Sequence, residues 1–146
     1  MTEMQIGSQT IRYDRDATTA VYRLVERGDA EECGCIFCQN FIAHRDIAYP
    51  PSFRALLEDL GIDPSKEGEA FDYGPAEDGG HLYGGWFYLV GELVSAGERT
   101  SRLADTSQFS YWFTRNCPDA PAFRGGPLLA IEFITYLKWL LPDIPD

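Results

Sequence analysis

Cys33-Gly34-Cys35-Ile36-Phe37-Cys38 places three of the chain's four cysteines within six residues, just ahead of Gln39-Asn40-Phe41 at the start of a predicted helix. Thiols at this density have three chemistries open to them: binding a metal, exchanging electrons, or packing as small hydrophobes. Zinc takes four ligands at tetrahedral corners, and C-x-x-C is a common half-site because two intervening residues let both sulfurs face one ion. Cys35 and Cys38 have that spacing, and flexible Gly34 lets Cys33 supply a third thiolate. The fourth ligand is harder to find. His44 follows Cys38 by six residues, which on a helix is about 120° away around the axis and roughly 9 Å along it. It faces elsewhere. Cys117 and His81 are left to arrive from distant segments, and no second C-x-x-C or H-x-x-x-H supplies a paired half.

Cys35 and Cys38 at a helix N-terminus also suit a reactive thiol, because the helix dipole lowers a thiol pKa. Glu31 and Glu32 just upstream oppose a thiolate, and the βαβ pattern around thioredoxin-like motifs is missing. The sequence therefore favours reduced cysteines packed at a helix entrance. A zinc centre of Cys33, Cys35 and Cys38 is the metal alternative.

A second candidate lies between residues 79 and 91, where five glycines accompany His81, Tyr83, Trp86, Phe87 and Tyr88. Small residues let a ligand approach the backbone, so His81, Tyr83 and Trp86 form a candidate ligand or partner surface. In a strand, Trp86, Tyr88 and Val90 share one face while Phe87, Leu89 and Leu93 share the other, so at least one aromatic set is core. Asp72, Glu77 and Asp78 sit beside glycine and proline and read as solvated turn residues. No phosphate-binding G-x-x-x-x-G-K, no G-x-S-x-G and no H-E-x-x-H occurs. With two histidines in the chain, no catalytic constellation is recognisable and an enzymatic role stays open.

Twelve Lys and Arg face 23 Asp and Glu, a formal charge of −11. Binding nucleic acid rests on cations that neutralise phosphates, so this balance opposes it. The same surplus suits electrostatic capture of a basic protein partner. No apolar run approaches membrane-spanning length and no secretory leader is evident, so a soluble, cytoplasmic protein without a membrane partner is expected. Structural disulfides are uncommon in a reducing cytosol, which leaves the cysteines free, metal-bound or transiently oxidised. The function these features support is a small acidic binding module for a basic protein or small ligand. A metal- or thiol-dependent enzyme centred on Cys33, Cys35 and Cys38 is the alternative.

The elements that position these residues change character near residue 68. A strand is predicted over 5–13. Residues 18–26 read two ways: Ala17, Ala20, Val21, Leu24 and Val25 follow a helical stripe with Asp16 as N-cap, yet Thr18, Thr19, Val21, Tyr22 and Val25 are strand formers, and strand is the reading adopted. After an acidic turn at 29–32, a helix is predicted over 36–48. Pro50 and Pro51 end it and open the next, where Phe53, Leu56, Leu57 and Leu60 recur at i, i+3, i+4, i+7 before Gly61. Beyond it, residues 70–73, 81–83, 86–93, 109–114 and 128–139 are aromatic and β-branched runs between Gly, Pro, Asp and Ser, and residues 77–80 read as a hairpin turn. An α+β domain over residues 1–146 follows: a twisted antiparallel sheet with a two-helix insertion that carries the cysteine cluster. At this length a chain buries about 70% of its unfolded surface and folds without a metal or a disulfide.

Cys-Gly-Cys-x-x-Cys-x-Asn-Phe (33–41), Ala48-Tyr49-Pro50-Pro51, Leu60-Gly61-Ile62-Asp63-Pro64 with Lys66-Glu67, and His81-Leu82-Tyr83-Gly84-Gly85-Trp86-Phe87 before Val90-Gly91 together give a recognisable pattern. Over about residues 30–95 the chain resembles a family of uncharacterised bacterial proteins of unknown function. The resemblance implies a small bacterial cytosolic domain and no particular activity.

Overall fold

The computed structural model describes residues 1–98, 102–106, 108–118 and 120–142. Strands β1 (Thr2–Ile6) and β2 (Gln9–Tyr13) form a hairpin about Gly7, whose φ of 57° is one that glycine accepts without strain. The predicted single strand over 5–13 is thus two strands. Next come α1 (Arg15–Leu24), α2 (Asp29–Cys33), α3 (Ile36–Ala43), α4 (Arg45–Ala48) and α5 (Pro51–Leu60). The sheet resumes with β3 (Glu69–Pro75), β4 (His81–Ser95), β5 (Leu103–Thr106), β6 (Phe109–Thr114) and β7 (Leu128–Leu137). All pairings are antiparallel, in the order β1-β2-β4-β7-β6-β5, and β3 pairs with the first half of β4. The α+β architecture holds, and the helical insertion that carries the cysteines has five segments rather than two.

Residues 18–26 are the clearest correction. Residues 18–24 belong to α1, with extended Val25 as its C-cap, because tertiary contacts satisfy what propensity disfavours. Asp14 caps α1 by accepting the Ala17 N–H at 2.9 Å, and the Thr18 hydroxyl donates to Asp14 O while accepting the Val90 N–H at 3.0 Å. Tyr22 reaches across to donate to Tyr88 O at 2.7 Å. Thr18 and Tyr22, two of the residues that suggested a strand, are those that dock the helix on β4, an override of local preference. Asp14→Ala should therefore cost about 1 kcal/mol in denaturant unfolding, the usual value of an N-cap. An unchanged midpoint would mean that docking alone holds α1.

The predicted helix over 36–48 breaks at His44, where the ring is bound to Lys138 O at 2.5 Å and α4 starts on a new axis. The acidic residues 29–32 form α2, not a turn. Residues 81–83 and 86–93 are one continuous strand, whose two edges serve β3 and β2 along one side and β7 along the other. The hairpin turn over 77–80 is present: Gly79 has φ 85°, and the Ala76 N–H donates to Gly80 O at 2.7 Å.

One face of the sheet meets the helices. Phe87 and Leu89 of β4, Phe133 of β7 and Phe109 of β6 interlock there with Phe41, Tyr49, Phe53, Leu57 and Leu60, all buried. Gly85 leaves the space that Phe133 fills, since a Cβ there would lie 2.8 Å from Phe133 Cζ. Among the described residues no helix is long and apolar enough to cross a membrane.

Candidate metal centre

A tight linkage between two helices sets the geometry of the cysteines. Cys33 ends α2, Gly34 turns the chain with φ 67° in the left-handed region, and Cys35 is the N-cap of α3. The Gly34 N–H donates to Ala30 O at 3.2 Å, and Gln39 Nε2 donates to Gly34 O at 2.9 Å. Cys35 Sγ accepts the Cys38 N–H at 3.5 Å, as an N-cap does. The result draws all three sulfurs within 4.8 Å of one another. Cys33 and Cys35 are exposed and Cys38 is buried, and all three are reduced. Packing as small hydrophobes therefore describes Cys38 alone.

The three thiols differ in acidity. Burial opposes ionisation of Cys35, but the Cys38 N–H and hydrogen bonds from the neighbouring thiols outweigh it and hold this thiol below the ordinary range. Burial pushes Cys38 well up, and the adjoining sulfurs push it further. An exposed, acidic sulfur thus stands beside a buried, reluctant one.

Two polar side chains clamp α3 in place. Asn40, fully buried, accepts the Leu140 N–H at 2.8 Å and donates to Lys138 O at 3.2 Å and to the Tyr83 hydroxyl at 3.4 Å. That hydroxyl donates in turn to Phe37 O at 2.8 Å. His44 turns from the thiols toward Lys138, as the helical geometry requires. Cys117 also stands apart, its thiol directed at Arg115 O in the segment after β6.

His81 is different. The thiols open onto a cavity of about 410 Å³ whose other wall is the β3–β4 hairpin, where Ala70, Asp72 and His81 line it across from Phe37 and the three cysteines. His81 Nδ1 lies 2.6 Å from Asp72 Oδ2, and both side chains are nearly enclosed, at 7% and 9% exposure. Asp72 is the residue that sequence reasoning passes over, because Gly74 and Pro75 beside it suggest a solvated turn. The available signal is strand alternation: Ala70, buried, and Asp72 share the face of β3 that meets the helices.

The remaining members of the second candidate surface separate. Tyr83 is a core residue at 1% exposure, and burial pushes its phenol up to about 12. Trp86 points to the opposite sheet face, with its indole N–H buried and without a hydrogen-bond partner among the described residues. Only His81 of the three lines the cavity shared with the cysteines. Family models, curated proteins and solved structures were each compared with the chain, and none matches it.

Proposed function

We propose that the protein binds a thiophilic metal ion, zinc first among them, through Cys33, Cys35 and Cys38 at the mouth of the cavity. The observation that carries this reading is the convergence of three sulfurs within 4.8 Å while two of them face solvent. Exposed thiols gain little from packing. Tetrahedral zinc with Zn–S bonds near 2.3 Å sets its sulfurs roughly 3.8 Å apart, so the thiols need to close by about 1 Å or less. Cys38 and Phe41 of α3 are part of the buried core, and a chain of this length buries enough surface to fold without a metal, so the ion is assigned a role other than holding the sheet together. The broader reading, an acidic module for a basic partner, rests on the net charge of −11 and names no surface.

Protein purified anaerobically should carry about one zinc per chain, as expected for one tetrahedral site. Cys35→Ser and Cys38→Ser should each lose it, and His44→Ala should keep it. Chelation should leave the far-ultraviolet circular dichroism intact. Parent protein that takes up no zinc on reconstitution and shows freely titrating thiols at Cys33 and Cys35 refutes the reading.

An exposed Cys35 beside a buried Cys38, their sulfurs within 4.8 Å, supports a second reading, a dithiol that exchanges with an external disulfide, and the lowered pKa of Cys35 agrees with it. The Cys35 thiolate would attack one sulfur of the external disulfide and release the other as a thiolate; Cys38, giving its proton to solvent, would then attack Cys35 Sγ and release the second external thiolate, so that the internal disulfide forms as the external one takes up two electrons. Equilibration with a glutathione buffer, read by mass, tests it: an internal disulfide that fails to form in the metal-free protein removes this alternative.

A further inference from the structure

We infer that His81 completes the coordination sphere as the fourth protein ligand, through Nε2, with Asp72 as the carboxylate that holds the ring; the inference rests on the three-thiol reading above. An ionised carboxylate only accepts hydrogen bonds, so the 2.6 Å contact places the imidazole proton on Nδ1 and leaves Nε2 with its lone pair. Imidazoles that bind metals nearly always donate their other N–H in this way, which fixes tautomer and orientation and raises basicity. The carboxylate, with 9% exposure, accepts the Gly74 N–H at 2.6 Å through Oδ1 and gives Oδ2 to the imidazole on the neighbouring strand, so the bulge holds the acid and the acid holds the ring.

Three further features set the ring toward the thiols. A register shift between Asp72 and Gly74 lets Asp72 pair with Tyr83 while Pro75 pairs with His81, so the bulge re-aims the carboxylate across the hairpin. Trp139 and Phe37 pack on the imidazole at ring-centroid distances of 5.0 and 5.9 Å, and Phe37 lies between Cys35 and Cys38 in the chain. The imidazole therefore abuts the turn of α3 that bears the sulfurs. The other candidates are already committed, His44 to Lys138 O and Cys117 to Arg115 O.

Among the described residues the three sulfurs lie within 4.8 Å of one another, and His81 stands back from them across the cavity. Closure belongs to the loop. Cys33 and Cys35 are exposed, so the sulfurs that must draw toward the sheet are those on the solvent side of the site. Cys38 and His81 are buried and provide the fixed side of the site.

Cobalt(II) titration of the reduced, metal-free full chain tests this, read by visible absorption and followed by zinc competition. The parent should give the intense d–d bands of a tetrahedral ion together with thiolate charge transfer. His81→Ala should lose the tetrahedral band shape and bind far more weakly, and the isosteric His81→Gln should behave alike if the alanine variant does not fold. Asp72→Asn should keep the band shape but lose about 10- to 100-fold in affinity, the usual effect of removing a carboxylate behind a ligand. His44→Ala should match the parent. If Cys35→Ser abolishes binding while both His81 variants and Asp72→Asn keep the parent's spectrum and affinity, this inference falls and the three-thiol centre stands. A parent that binds no cobalt overturns both.

Discussion

Phe133→Ala is expected to lower the free energy of unfolding by about 3–5 kcal/mol, a large part of the roughly 5–15 kcal/mol that stabilises a domain. Phe133 has 1% exposure on β7, the strand between β4 and β6. Its ring centroid lies 5.3 Å from Tyr49, 5.8 Å from Phe87, 6.2 Å from both Phe41 and Phe109, and 6.4 Å from Phe53. These partners come from the sheet, from α3, from the segment between α4 and α5, and from α5 itself. A void at their centre cannot close by moving one element, which places the cost at the upper end of the range for truncated aromatics. Urea unfolding measures it. A loss under about 1 kcal/mol, the size of an average substitution, would show that the surrounding rings collapse inward.

The second large effect concerns a buried acid outside the thiol site. Glu67, whose side chain is fully enclosed, accepts two hydrogen bonds from Arg45 at 3.1 and 3.2 Å and one from the Ala30 N–H at 3.0 Å. Arg45 also meets Glu31 at 2.6 Å. Glu67→Ala leaves the Ala30 N–H unpaired and Arg45 with only its more exposed partner, and should cost about 3–5 kcal/mol, as breaking a buried ion pair does. Glu67→Gln keeps an acceptor and should cost less. The two variants separate the loss of the group from the loss of its charge.

Acid should reveal that charge. Burial raises the Glu67 pKa above its ordinary 4.5, and the opposing pull of Arg45 does not cancel the rise. Below the ordinary value the carboxyl is protonated in both folded and unfolded chains, and above the raised value it is ionised in both, with the penalty of a buried anion borne by the folded state. Between the two the folded chain holds more proton, so the Glu67 contribution to stability is largest in acid and declines as the pH rises through this window. The stability of the parent minus that of Glu67→Gln should decline from pH 4.5 upward; a flat or rising difference contradicts the shift.

The most legible parts of the chain were those where one local signal suffices. Pro51 at the start of α5, the stripe of Phe53, Leu57 and Leu60, and left-handed Gly61 at its end agree with one another, and the structure follows them. Strand β6 falls on the predicted residues, and β7 ends two residues short of Trp139. Residues 18–26 were not legible, since Thr18 and Tyr22 serve a strand by propensity and a helix by the contacts they make with β4. Spacing placed the three thiols near one another and turned His44 away from them. Asp72 escapes such reasoning because its partner is in another strand, and only the offset pairing of β3 on β4 brings it to His81. Strand β5 carries no strong alternation and depends on β6 for its definition.

The clamp on α3 also orders events during synthesis. Asn40 and His44 take their partners from the backbone at positions 138 and 140, at separations of 94 to 100 residues. A ribosome adding roughly 5–20 residues per second needs about 5–20 s to make that stretch. Through this interval the nascent chain has its three thiols but lacks the far anchor of the helix that bears them.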